Sequence, residues 1–226
     1  MSAFTGMNVI VTGGAGVLGA AVADRFAAGG ANVAILDVVG VDGPHLSIEC
    51  DLMDAGACQA AVARVRSEFG DVAALANIAG GFVMGDAVHE TSDETWNFML
   101  DLNARSVLNM ARAIVPGMIA TGGGAIVNVA ARAGLEGAAN MGAYSASKSL
   151  VIRLTESLAA ELREQGINVN CVLPSIIDTP RNRSDMPDAN FDTWVSPSDL
   201  AEVIAFLASS AARAVHGAAV PVVGLA

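Results

Sequence analysis

Tyr144 and Lys148 are the only tyrosine and the only lysine in the chain, and they stand four residues apart. In a helix over residues 143–158, positions i and i+4 share a face one turn apart. A phenol ordinarily titrates near pH ~10, and a cation beside it favours the phenolate. A pair so placed is an acid/base device suited to proton transfer near neutral pH.

A second group of residues suits phosphate rather than protons. The run Thr12-Gly13-Gly14-Ala15-Gly16-Val17-Leu18-Gly19 follows an apolar stretch and opens a helix-forming one, and Gly14, Gly16 and Gly19 match G-x-G-x-x-G. In that position glycine permits a tight turn and lets a pyrophosphate approach backbone N–H groups at a helix N-terminus. Asp37 falls 18 residues beyond Gly19, at the end of the next predicted strand. A carboxylate there accepts from both hydroxyls of an adenosine ribose and repels a 2′-phosphate. No Arg or Lys follows closely to compensate, so the reading is NAD, with NADP disfavoured.

These groups need a scaffold, and the chain supplies alternating strands and helices. Strands are predicted at 8–11, 32–36, 45–50, 72–76, 125–129, 167–173 and 218–223. Helices are predicted at 17–28 and 54–69, and from a capping box of Thr91 and Glu94 to about residue 120. Two more are the helix carrying Tyr144 and Lys148, and one from Ser196 to about Ser209 with Pro197 at its first position. Apolar strands separated by helices indicate an α/β fold with a parallel sheet covered on both faces. The length suits one domain over 1–226, with a substrate-side loop at about 174–196.

Composition narrows the partners. The chain is 53% hydrophobic and 15% charged, enough for a large core, and its net charge is −11. With eleven arginines spread singly, neither a nucleic-acid surface nor attraction to an anionic membrane is expected. Cys50, Cys58 and Cys171 follow no ligand spacing and read as buried thiols of a reducing, cytoplasmic protein. His45, His89 and His216 are too scattered to suggest a metal site. Met1 to Gly6 lacks a basic region followed by an apolar one, which argues against secretion.

With Asn77-Ile78-Ala79-Gly80 after the fourth strand, Asn103 in the next long helix, and Pro174-Ser175-Ile176-Ile177-Asp178-Thr179 after the sixth, the chain resembles the short-chain dehydrogenase/reductase family along nearly its whole length. The resemblance implies a single doubly wound Rossmann-type domain with a seven-stranded parallel sheet. It also implies a nicotinamide cofactor, a small-molecule substrate and a homodimer or homotetramer. Catalytic roles carry to Tyr144 as proton donor or acceptor, to Lys148 as the group that lowers its pKa and holds the nicotinamide ribose, and to Asn103 as support for a relay water. Cofactor contacts carry to Gly13, Gly16, Val17, Leu18, Gly19, Asp37, Asp51 and Leu52. They also carry to Asn77, Ala79, Gly80, Tyr144, Lys148, Pro174, Ile177 and Thr179. Asp51 matches the position that meets adenine, and Asn77 reads more as a sheet-stabilising residue than a chemical one.

Two departures stand out. The glycines are spaced Gly13-x-x-Gly16-x-x-Gly19, unlike the commoner T-G-x-x-x-G-x-G branch, although the turn they form is equally usable. The family's catalytic serine, thirteen residues before the tyrosine, is Ala131 here. Losing such a donor from an enzyme that relies on it costs about 2.7–4 kcal/mol. The substrate is then electrophilic enough to do without it, or Asn140 or Arg132 replaces it, or the protein binds a nucleotide in a regulatory role with little turnover. The segment from Ile177 through Arg183 and Phe191 to Trp194 is similar to dihydropteridine reductases, which also carry alanine at the serine position. That resemblance implies a quinonoid dihydropterin as one candidate substrate beside a small carbonyl.

Overall fold

In the computed structural model, which describes residues 3–225, the apolar runs form seven strands. They are β1 (Asn8–Thr12), β2 (Asn32–Asp37), β3 (Leu46–Glu49), β4 (Ala74–Asn77), β5 (Gly124–Val129), β6 (Ile167–Pro174) and β7 (Ala219–Val222). The helices are α1 (Val17–Ala28), α2 (Ala55–Phe69), α3 (Asp93–Leu100), α4 (Ser106–Thr121), α5 (Gly142–Leu162), α6 (Pro180–Asp185) and α7 (Pro197–Ala208). Met1 and Ser2, part of the N-terminal segment considered above, lie outside the described residues.

All strand pairs are parallel, in the order β3-β2-β1-β4-β5-β6-β7. This is the doubly wound arrangement expected, and its order reverses between β1 and β4. Ligands of such sheets bind outside the strands' C-terminal ends at that reversal. Side chains alternate along each strand. Val9 and Val11 of β1 pack with Leu18, Val22 and Phe26 of α1 and Leu200 and Ile204 of α7. Ile10 between them faces Val62 and Val65 of α2 and Met110, Ile114 and Met118 of α4. Both faces of the sheet are therefore buried, which is why its strands read as unbroken apolar runs.

Buried polar side chains tie the strand ends together. Asn77 Nδ2 donates to Asn128 Oδ1 (2.8 Å), whose own Nδ2 donates to Thr155 Oγ1 on α5 (2.9 Å). Thr155 donates in turn to the Val151 carbonyl at 2.8 Å. Thr12 Oγ1 accepts from the backbone N–H groups of Ile78 and Ala79, at 3.0 and 3.2 Å, and pins the end of β4 to the end of β1.

Three sequence expectations are refined by the structure. Ser92, rather than Thr91, caps α3, accepting from the Thr95 N–H at 3.1 Å, while Thr91 Oγ1 donates back to the Ala87 carbonyl. The helical region runs on to residue 121 as expected, but within it Asp101–Arg105 form a π-turn between α3 and α4. Such inserted turns gather at functional sites. Within the substrate-side loop, Thr179 caps the six-residue α6 with Pro180 at its start. No helix among the described residues is long and apolar enough to cross a membrane.

Candidate active site

The glycine turn between β1 and α1 is shaped by close packing. Gly13 has φ +70°, a conformation that favours glycine, and a Cβ there would stand 2.8 Å from the backbone of Ala79. Ala79 and Gly80 therefore lie directly against the turn. A side chain at Gly19 would run into the Gly13 carbonyl, so α1 begins as close to the turn as the backbone permits. Asp37 Oδ2 accepts from the Ala15 N–H at 3.0 Å, closing the turn from the β2 side. That carboxylate has a structural duty, and its other oxygen makes no hydrogen bond to the described residues.

From Gly80 the packing leads to the acid/base pair. A Cβ at Gly80 would stand 2.7 Å from Asn103 Oδ1 and 3.1 Å from Lys148 Nζ. The lysine is buried, 5% exposed, and its Nζ donates to the Val129 carbonyl at the end of β5 (2.9 Å). The π-turn carries Asn103 inward, where its side chain is paired on every side. Oδ1 accepts from the Gly81 N–H (3.0 Å), and Nδ2 donates to the Gly81 carbonyl and to Ser147 Oγ, both at 3.0 Å. Ser147 donates onward to the Tyr144 carbonyl at 2.7 Å. Asn103 thus clamps residue 81 to the first turn of α5. Both polar atoms of its side chain are engaged within the protein.

The Tyr144 ring packs perpendicular to that of Phe82, with centroids 4.8 Å apart and an interplanar angle of 89°. Burial pushes the phenol up to about 12 and pulls the Lys148 ammonium down to about 8. Both shifts oppose the charged form, as desolvation does. Burial accounts for both shifts, and the hydrogen bond of the ammonium goes to the Val129 carbonyl.

The other anticipated residues take several positions around this centre. Val17 is exposed at the mouth of the glycine turn and Leu18 is buried against the sheet. Asp51 Oδ1 accepts from the Met53 N–H (2.9 Å), and the Leu52 carbonyl accepts from Asn109 Nδ2 (3.0 Å). Both lie just past β3. The Asn77 side chain is consumed by Asn128. Pro174 ends β6, Ile177 forms a lone parallel bridge with Val195, and Thr179 is occupied as the cap of α6. Ala131 is buried and offers no donor side chain.

Sequence reasoning missed Gly81, Phe82, Ser147 and the Val129 carbonyl. Ser147 lies three residues after Tyr144, on a helix face that spacing alone can identify. A backbone carbonyl that serves as the acceptor for a lysine leaves no mark on the sequence.

The residues fit a dinucleotide. The first turn of α1 has no side-chain cap on its N–H groups, Asp37 stands against the turn at Ala15, and the turn packs on Ala79, next to the bare backbone of Gly80. Comparisons with known proteins agree. A family profile described as short chain dehydrogenase matches residues 7–190. D-threitol dehydrogenase of Mycolicibacterium smegmatis is 33% identical, the alignment covering 94% of this chain and 90% of that one. 2-(R)-hydroxypropyl-CoM dehydrogenase of Xanthobacter autotrophicus is 32% identical over 93% of this chain and 94% of its own. Among solved structures, carveol dehydrogenase from Mycobacterium avium in complex with NAD superposes with a TM-score of 0.90, at 27% identity, over 99% of this chain and 98% of the other.

Because the folded state disfavours the charged lysine, the unfolded chain holds a proton between pH 8 and 10.5 that the folded chain has shed. Stability therefore rises with pH across that window. Lys148→Met should be the more stable protein below about pH 8, and its advantage should shrink by about 3 kcal/mol by pH 10.5. Urea unfolding of both proteins from pH 7 to 10.5 measures the gap; a gap that does not change with pH contradicts the burial of the charge.

Proposed function

The chain belongs to the short-chain dehydrogenase family, and from that membership we propose that it moves hydride between a nicotinamide dinucleotide, NAD in preference to NADP, and a small carbonyl compound. One observation carries the reading. An unbroken line of contacts runs from the phosphate-type turn at Gly13, through Ala79 and Gly80, to Lys148 Nζ and Asn103 Oδ1, one helical turn from Tyr144.

In this reading Gly13, Gly16, Val17, Leu18 and Gly19 hold the pyrophosphate. Asp37 takes the adenosine ribose, and Asp51 and Leu52 take the adenine. Ala79 and Gly80, with the backbone at Asn77, line the middle of the cleft, and Pro174, Ile177 and Thr179 face the nicotinamide end. The bound dinucleotide supplies or accepts the hydride. Tyr144 gives its phenolic proton to the oxygen of a carbonyl being reduced and takes it back in oxidation. With its pKa raised by burial to about 12, the phenol is protonated at neutral pH, the form required for reduction. Lys148 stabilises the phenolate through its charge, and Asn103 and Ser147 fix the turn that carries both groups. A homodimer or homotetramer accompanies this function in our reading.

Ala131 favours a second reading. Without a hydroxyl at that position, an acceptor that takes hydride with little polarisation is best served. The likeness of residues 177–194 to dihydropteridine reductases points to a quinonoid dihydropterin. If no acceptor is turned over, a nucleotide-binding regulatory role remains.

Tyr144→Phe should lower NADH-dependent carbonyl reduction by 10²–10⁴-fold while NADH affinity changes no more than about threefold, since the variant removes only the hydroxyl. Steady-state rates and fluorescence titration of NADH measure the two. A variant that keeps the wild-type rate removes Tyr144 from the chemistry. The Asp37 carboxylate should also make NADH bind at least tenfold more tightly than NADPH in the same titration, and tighter binding of NADPH overturns the preference.

A further inference from the structure

The loop after β4 does more than hold Gly80 and Gly81 against the acid/base pair. It folds over the N-terminus of α5 and is fastened there: the Gly85 N–H donates to the Asn140 carbonyl at 3.1 Å. Asn140 is the only residue other than glycine with a positive φ, +61°, among the described residues. Asparagine tolerates this conformation better than most side chains. Val88, farther along the loop, lies so close to Gly142 that a Cβ there would come within 2.7 Å of it. The loop is therefore anchored two to four residues before Tyr144 in the sequence, at the start of the helix that carries it.

The side chains this loop presents are apolar and open. Phe82, Val83, Met84 and Val88 are between 40 and 71% exposed, and Leu135, between β5 and α5, is 58% exposed. Phe82 stands at a right angle to the Tyr144 ring. Two perpendicular rings form a corner with apolar walls, against which an apolar ring can pack on two sides. The arginines of the segment after β6 are paired within that segment: Arg183 is engaged by Asp178 (2.5 and 2.7 Å) and Arg181 by Asp185 (3.7 Å). Ala130 and Ala131 at the end of β5 add no polar group. Arg132 beside them has no ion-pair partner among the described residues, which is why an anionic probe stands among those below.

We propose that the corner formed by Phe82 and Tyr144, extended by the apolar loop over α5, selects uncharged ring-bearing carbonyl compounds over polyhydroxylated or anionic ones. Phe82 is the specificity-determining residue. This rests on the oxidoreductase reading above and narrows its substrate class. Hydride supplied by a bound dinucleotide would add to the carbonyl carbon as the C=O π bond breaks, the oxygen would take the proton of Tyr144, and the phenolate would regain a proton from solvent, so that a ketone, NADH and one proton give an alcohol and NAD+.

The test uses the full chain saturated with NADH and three probes: cyclohexanone, dihydroxyacetone and acetoacetate. Wild-type kcat/KM for cyclohexanone should exceed that for the other two by at least tenfold. Phe82→Ser should raise KM for cyclohexanone about tenfold and leave KM for dihydroxyacetone within twofold. A preference for dihydroxyacetone or acetoacetate, or a rise in KM common to all three probes, overturns the proposal. Saturation-transfer NMR of the same probes on the NADH complex separates the two levels of the argument. A cyclohexanone signal that wild type gives and Phe82→Ser does not, without turnover, keeps the apolar corner and refutes the hydride-transfer reading. No cyclohexanone signal from wild type overturns the corner itself.

Discussion

A single buried ammonium organises the site. A charge removed from water must be paired or hydrogen-bonded, and Lys148 reaches the carbonyl of Val129, at the end of a central strand. That bond fixes how far α5 stands from β5 and so where Tyr144, one turn earlier, can be. It also leaves no room at residue 80 for a side chain, because any Cβ would crowd the ammonium and Asn103 together. Gly80 is thus a consequence of the lysine, and the glycine turn pressed against Ala79 inherits its position from the same packing.

The π-turn belongs to this arrangement. A regular helix from α3 into α4 would carry residue 103 at a different angle. The inserted turn instead carries Asn103 to where it meets both backbone groups of Gly81 and the hydroxyl of Ser147. The groups that hold the acid/base pair are therefore backbone atoms or short polar side chains drawn from separate elements. Rigidity of this kind suits a site in which proton and hydride must move over a fixed distance.

Much of the fold was legible because a sheet buried on both faces writes itself as apolar runs broken by glycine. The strands and the helix carrying Tyr144 and Lys148 emerge within a few residues of their predicted limits. What escaped was local. The polar cluster Thr91, Ser92, Glu94 and Thr95 offers two capping choices, and the chain uses Ser92 while the Thr91 hydroxyl turns back to the Ala87 carbonyl. The π-turn has no periodic signature over five residues. For the site, the pairing of Tyr144 with Lys148 was evident from their scarcity and spacing. The direction of their acidity shifts was not, since it depends on how deeply each group is buried. Spacing shows that two groups are neighbours; only packing shows whether water or a carbonyl stands between them.

The scarcity that exposed the pair also makes it measurable. With one lysine and one tyrosine in the chain, protein labelled with ¹³C at lysine Cε and tyrosine Cζ gives one signal for each in an NMR titration. In the free protein the lysine signal should titrate near pH 8 and the tyrosine should stay protonated past pH 10. Saturating NADH should shift both resonances, because the proposed binding mode places both side chains beside the dinucleotide. A lysine titrating at its ordinary 10.5, or two signals indifferent to NADH, would contradict the claim that a buried ammonium sets this phenol beside a dinucleotide.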